Sequence, residues 1–204
     1  MGQYKRVAHA GKISGMNDIA LEKAQLRSKI LASRASRSNP STDELALTAN
    51  LTNLFLQINP KRVAIYLSFG TEPSTALFIE YLLQKGIEVL VPKVINQDEL
   101  AWYQYTGIGA TASLLGIPEP DEILHQQTTL EDVEVLFIPA LAIDRVGNRL
   151  GRGKGYFDKE LAKVKDIEVF AICFESEFLD TIPAEAHDRK VSGVVTELGI
   201  HELN

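Results

Sequence analysis

Apolar positions recur along this chain at two spacings, and together they predict alternating helices and strands. From Asn17 to Ser36, the residues Ile19, Leu26, Ile30 and Leu31 fall near one helical face, and basic residues dominate the remainder. Ser41, Thr42, Asp43 and Glu44 resemble a capping box opening a second helix, which runs to about Ile58 and is closed by Pro60. Arg62 to Ser68 is dense in β-branched and aromatic residues and predicts a strand. A loop, Phe69 to Pro73, leads into a helix over Ser74–Gln84, with Gly86 as its terminator. Further strands are predicted at Glu88–Pro92, Leu100–Tyr105, Val133–Ile138, Glu168–Phe174 and Val191–Thr196, and a helix at Tyr156–Val164. Residues 107–127 read as irregular.

This alternation predicts an α/β fold: a single domain with a mostly parallel central sheet and helices on both faces. The run Val133 to Ile138 is nearly all apolar, as a strand covered on both sides requires. In such sheets ligands bind beyond the carboxyl ends of the strands. Loops 69–73 and 139–155 both leave predicted carboxyl ends, so they are expected to face one crevice.

The second of these loops carries the densest chemistry in the chain. Gly151, Gly153 and Gly155 alternate, with Arg149, Arg152 and Lys154 close by. Between Arg145 and Lys154 there are four basic residues and no acidic one, in a chain of net charge −6. Backbone N–H groups and cations gathered this way suit a polyanion, phosphate above all. A plain solvated surface loop is the other reading of the same residues. The loop is not a Walker A sequence, because Lys154 is followed by Gly155 rather than Ser or Thr. Nor is it a dinucleotide fingerprint, whose third glycine would fall on Tyr156.

Bulk properties narrow the classes. A length of 204 residues with 45% hydrophobic and 24% charged content describes one globular domain. The mean hydropathy of −0.03 agrees. No apolar stretch approaches the roughly 20 residues that span a bilayer. Residues 1–16 include basic residues but no apolar run; they are expected to form a flexible leader rather than a secretory signal, with Met16 a candidate start. The single cysteine, Cys173, rules out an intrachain disulfide and fits a cytoplasmic protein. An isoelectric point near 5.3 argues against general nucleic-acid binding. His9, His125, His187 and His201 show no metal-ligand spacing. A monomer is expected.

The string from Phe137 through Asp144, continued by Gly147-Asn148-Arg149-Leu150-Gly151-Arg152-Gly153-Lys154-Gly155-Tyr156-Phe157-Asp158, closely resembles the signature of 5-formyltetrahydrofolate cyclo-ligases. Other blocks resemble that family in order: Lys23 to Arg27, Tyr66 to Ser68 with Glu72 and Thr75, Gly116 to Pro120, Ile182-Pro183 with His187-Asp188, and Val194 to Glu197. The resemblance spans roughly residues 17–200. Three positions depart from the usual pattern. Phe157 replaces a tyrosine, Ser74 stands where some relatives carry an acid, and Ser192 stands where relatives often have Asp.

The resemblance implies an ATP-driven ring closure of 5-formyltetrahydrofolate, giving 5,10-methenyltetrahydrofolate, ADP and phosphate. The formyl oxygen takes the γ-phosphoryl group, and N10 then attacks the formyl carbon. Such chemistry needs phosphate neutralisation, Mg²⁺ and positioning, not a nucleophilic side chain. Carried over residue by residue, Lys23 and Arg27 contact ATP phosphates. Arg149, Arg152 and Lys154 are catalytic cations, Tyr156 is a further catalytic residue, and with Leu150, Gly151, Gly153, Gly155 and Phe157 they form the nucleotide site. Tyr156 also contacts the folate, beside Phe69, Glu72, Trp102, Glu119 and Pro120. Asp158 and Asp188 hold Mg²⁺, with Asp144 a weaker candidate. The alternative is a folate- or nucleotide-binding regulator of the same fold without turnover.

Overall fold

The computed structural model describes residues 10–38, 40–97, 99–113, 116–164, 167–184 and 190–203, with side chains from residue 18 onward. Five parallel strands form the centre of an eight-stranded sheet. They are β1 (Arg62–Ile65), β2 (Glu88–Val94), β7 (Val135–Pro139), β10 (Glu168–Ile172) and β12 (Gly193–Val195), lying in the order β12-β10-β7-β1-β2. The edges are antiparallel. On one side β3 (Leu100–Gln104) and β6 (Gln127–Thr128) follow β2; on the other β13 (Ile200–Glu202) follows β12. The strand β13 was not expected from the sequence.

Side-chain alternation along the strands divides the core into two layers. Val63 and Ile65 of β1, Val89 and Val91 of β2, and Phe137 of β7 face the helices α2 (Pro40–Ile58) and α3 (Ala76–Gln84), which bury Leu47, Leu51, Leu54, Phe78 and Leu82 among them. Ala64, Leu90, Leu136 and Ile138 face the other side, where Leu161 of α4 (Tyr156–Lys163) closes the layer. Helices therefore cover both faces. Helix α3 ends as expected: Gly86 has φ +72°, its N–H donates to the Leu83 carbonyl at 3.0 Å, and the Ile87 N–H donates to the Leu82 carbonyl at 3.0 Å.

Three expectations need correction. Helix α1 spans Ala10–Ala35, so residues 10–16, read as leader, are helical. The capping box at Ser41–Glu44 does not open α2, which already begins at Pro40; Glu44 instead accepts a hydrogen bond from Ser74. The segment 107–127 contains an antiparallel hairpin, β4 (Ala110–Ala112) with β5 (Pro118–Pro120), where Ala110 faces Pro120 and Ala112 faces Pro118.

A second surprise lies inside loop 139–155. Strands β8 (Ala142–Asp144) and β9 (Arg149–Leu150) form a small hairpin that β11 (Phe178–Leu179) extends to three strands. Helix α1 packs its Leu26 and Ile30 onto this unit, against Leu141, Ala142, Leu150 and Ile182. The first helix thus covers the glycine loop rather than the main sheet. No helix among the described residues is long and apolar enough to cross a membrane.

The sheet is tightest at Gly193. A Cβ there would lie 2.6 Å from Cε1 of Phe170 and 2.9 Å from the carbonyl oxygen of His201. Overpacking of this kind costs about 1–3 kcal/mol. Gly193→Ala is therefore expected to lower the melting temperature by roughly 3–10 °C. An unchanged melting curve would mean that Phe170 can move aside freely.

Candidate functional site

Strands β1 and β7 lie side by side, so the loops leaving their carboxyl ends open onto one crevice. Two hydrogen-bonded links shape the first loop. Thr75 donates through Oγ1 to the Tyr66 carbonyl at 2.9 Å, and its N–H donates to Ser68 Oγ at 3.1 Å. The Tyr66 hydroxyl donates to the Pro73 carbonyl at 3.0 Å. This fold of the chain turns Phe69 and Glu72 into the crevice.

Asp144 shapes the second loop. Its Oδ1 accepts the N–H groups of Val146 at 3.1 Å and Asn148 at 2.9 Å, and its Oδ2 accepts Asn148 Nδ2 at 2.8 Å and the Ile182 N–H at 3.4 Å. Gly147 completes the turn at φ +86°. Asp144 is buried, and its four accepted hydrogen bonds hold this turn together.

Arg149 enters the crevice from β9. Its Nη1 donates to the Pro139 carbonyl at 3.1 Å, and its Nη2 pairs with Asp158 Oδ1. The side chain is only 4% exposed, yet its Nε has no hydrogen-bond partner. A buried, unpartnered guanidinium N–H is costly unless a ligand takes it. Asp158 is half exposed, and its Oδ2 accepts no hydrogen bond among the described residues. Lys154 is exposed on the crevice wall. Gly155, at φ +71°, starts α4, and no side chain caps that helix.

Gly151 allows the close approach of Arg149. A Cβ at 151 would stand 3.0 Å from Arg149 Nη1, an atom already fixed by Pro139. Gly151→Ala is expected to reduce turnover about tenfold, the cost of displacing one positioned donor by a fraction of an ångström. Retention of full activity would show that the guanidinium has slack.

Arg152 joins the two loops. Its Nε donates to Glu72 Oε1 at 2.9 Å, and its guanidinium lies 4.6 Å from the Phe69 ring centroid. Burial pushes the Glu72 carboxyl above its ordinary value, against the opposing pull of Arg152 and of the Phe69 N–H. The crevice thus combines the cations Arg149, Arg152 and Lys154 with the carboxylates Glu72 and Glu119 and with apolar wall from Leu100 and Ile117.

The structure gathers most of the expected residues here. Phe69, Glu72, Glu119, Arg149, Gly151 and Arg152 line the crevice, followed by the run from Lys154 to Asp158. Arg27 reaches the loop from α1, donating from Nε to the Gly151 carbonyl at 2.9 Å, with Lys23 one turn earlier. Gly153 lies against the Arg27 guanidinium; a Cβ at 153 would stand 3.5 Å from Arg27 Cζ.

Other expected residues lie elsewhere. Leu150 is buried under α1. Pro120 does not reach the crevice, which takes Pro118 and Glu119 instead. Trp102 is not a crevice residue: its ring packs in the core against Phe157 at 6.5 Å, and its Nε1 donates to buried Glu160 at 2.9 Å. Asp188, like His187, lies outside the described residues. Among the described residues no cluster of three His, Cys, Asp or Glu could hold a metal.

Two departures from the family pattern find a structural setting. Ser192 bridges β10 and β12, with its Oγ accepting the Val169 N–H at 3.1 Å, away from the crevice. Phe157 turns toward Trp102 in an apolar contact that needs no hydroxyl. One charged crevice residue escaped sequence reasoning. Arg34 is buried at the crevice floor, and it continues the spacing of Lys23, Arg27 and Ile30 along one face of α1. That periodicity was the signal available.

The model of the 5-formyltetrahydrofolate cyclo-ligase family matches residues 19–197. A 5-formyltetrahydrofolate cyclo-ligase of Mycolicibacterium smegmatis is 34% identical over 184 residues, covering 85% of this chain and 93% of that one. The Mus musculus protein of the same name is 30% identical, covering 68% of this chain and 74% of its own. Among solved structures, the Aquifex aeolicus 5,10-methenyltetrahydrofolate synthetase superposes with a TM-score of 0.76 at 29% identity, over 89% of this chain and 93% of that one. A Mycoplasma pneumoniae synthetase shares the fold, with a TM-score of 0.71 at 20% identity, over 86% and 99%. This chain belongs to the 5-formyltetrahydrofolate cyclo-ligase family.

Proposed function

We propose that this protein is an ATP-dependent 5-formyltetrahydrofolate cyclo-ligase and that the crevice holds both substrates. The carrying observation is the convergence of Arg149, Arg152 and Lys154 on one crevice, with the Arg149 guanidinium fixed on two sides by Pro139 and Asp158. Its fit to phosphate is supported by Gly151, which lets the chain pass close to Arg149. Lys23 and Arg27 add charge from α1. Asp158 would contribute one carboxylate to Mg²⁺, with Asp188 a second candidate; one or two carboxylates plus phosphate oxygens suffice for that ion. Bound there, Mg²⁺ would neutralise phosphate charge.

The reaction balances simply. The formyl oxygen leaves as phosphate, N10 loses its proton and bonds to the formyl carbon, and ADP departs. The chain's share is to bind, orient and neutralise. Glu72 faces the reduced pterin, whose N–H edge suits a carboxylate, while Phe69 and Tyr156 flank it. Arg149, Arg152 and Lys154 meet the charge developing on the transferring group. This reading has a cytoplasmic monomer. No observation favours a regulator without turnover.

The test is direct. Protein, 5-formyltetrahydrofolate and Mg-ATP are mixed and the near-UV absorbance of the methenyl product is followed. Product formation that requires ATP is expected. Tight folate binding without an absorbance change would favour the regulator, and absence of folate binding would sink both readings.

A further inference from the structure

Arg34 lies outside every role assigned above. Its side chain is 1% exposed and forms a double bond of charge with Glu177: Nε to Oε1 and Nη2 to Oε2, both at 2.7 Å. Nη2 also donates to the Ala140 carbonyl at 2.6 Å, just beyond β7. Glu177 takes the Phe174 N–H at 2.9 Å as well. Nη1 has no hydrogen-bond partner among the described residues. Arg34 borders the crevice.

We propose that Arg34 donates from Nη1 to a neutral carbonyl oxygen of the folate bound at the crevice floor. This rests on the folate reading above and adds a substrate-contacting residue to it. Two arguments choose the ligand. Glu177 already cancels the charge of Arg34, so the pair as a whole is neutral and suits an uncharged acceptor; the uncancelled cation Lys154 suits phosphate better. Position agrees, because Arg34 lines the same crevice as Tyr66 and Glu72. A reduced 5-formylfolate offers two such oxygens, on the pteridine ring and on the formyl group. A donor fixed on three sides selects for such an oxygen at little entropic cost.

The experiment replaces the pair together, Arg34→Met with Glu177→Met, so that no buried charge is left alone. Binding of 5-formyltetrahydrofolate and of tetrahydrofolate, which lacks the formyl oxygen, is measured by calorimetry, with Mg-ATP as control. Weakening of 5-formyltetrahydrofolate by roughly tenfold, with ATP binding unchanged, is expected. Loss for that ligand alone assigns the formyl oxygen, and equal loss for both ligands assigns the ring oxygen; either supports the proposal. Folate affinities within twofold of the parent overturn it and leave Arg34 a structural residue. Should the double variant not fold, guanidinium ¹⁵N NMR on the unaltered chain decides. The Arg34 resonances must shift on adding 5-formyltetrahydrofolate, and no shift overturns the inference. A parent protein that binds neither folate fails the functional reading itself, a result distinct from loss in the variant alone.

Discussion

Arg149→Ala is expected to lower kcat/KM about 10³-fold or more, the scale on which a positioned arginine acts in phosphoryl transfer. The fold should suffer much less. The Pro139 carbonyl loses its Nη1 donor, but it lies at the crevice and can take water instead. Asp158 is 51% exposed and regains solvent when freed. The expected stability loss is therefore about 1–2 kcal/mol, or roughly 3–6 °C. Arg149→Lys keeps the charge but not the fork. A lysine carries its donors on one nitrogen, which cannot take the places of both Nη1 and Nη2, so it should restore only a small part of the rate. Turnover is read from methenyl absorbance and stability from thermal unfolding of the same samples. Activity that merely tracks the folded fraction would remove Arg149 from the chemistry.

That expectation was legible in the sequence for a physical reason. Gly151, Gly153 and Gly155 sit among cations, and the functional pattern is local in the chain. Strands were legible where burial is two-sided: Val135 to Ile138 is apolar at every position because helices cover both faces. Gly86 was legible because a positive φ leaves few alternatives to glycine. Small strands were not. The hairpin β8–β9 rests on Asp144, whose four accepted bonds arise only once the chain has turned. A lone aspartate before a glycine loop carries no mark in the sequence that separates a turn-former from a weak metal candidate.

Trp102 illustrates the converse. An aromatic near a predicted pocket is ambiguous between wall and core, and only the packing decides it. Glu160, fifty-eight residues on, supplies the acceptor that lets the indole be buried. Arg34 was hidden differently. Its place on the helix face of Lys23, Arg27 and Ile30 was the only local signal, because its partner Glu177 is 143 residues away. A long-range ion pair of this kind adds no local signature of its own.

Glu72→Gln is expected to separate function from stability in opposite directions. Burial holds the Glu72 carboxyl above its ordinary value of 4.5, so the ionised form is disfavoured in the folded protein. A raised carboxyl contributes stability below about pH 4.5 and loses it as the pH climbs through the folded value. At neutral pH the charge is a burden, and the amide removes it without changing shape. The Phe69 N–H keeps an acceptor, now the amide oxygen, and the loss of the Arg152 pair is cheap because Arg152 is 38% exposed. The variant should therefore melt at or above the parent temperature at pH 7, with the advantage shrinking toward pH 4. Folate kcat/KM should fall about 100-fold, the cost of losing charged hydrogen bonds to a bound pterin. Arg152, released from Glu72, remains available to phosphate, so the KM for ATP should hold steady or fall. A variant that melts well below the parent at neutral pH would show that Glu72 serves the fold through Arg152. The strain of its buried charge would then not be the trace of a ligand-binding role.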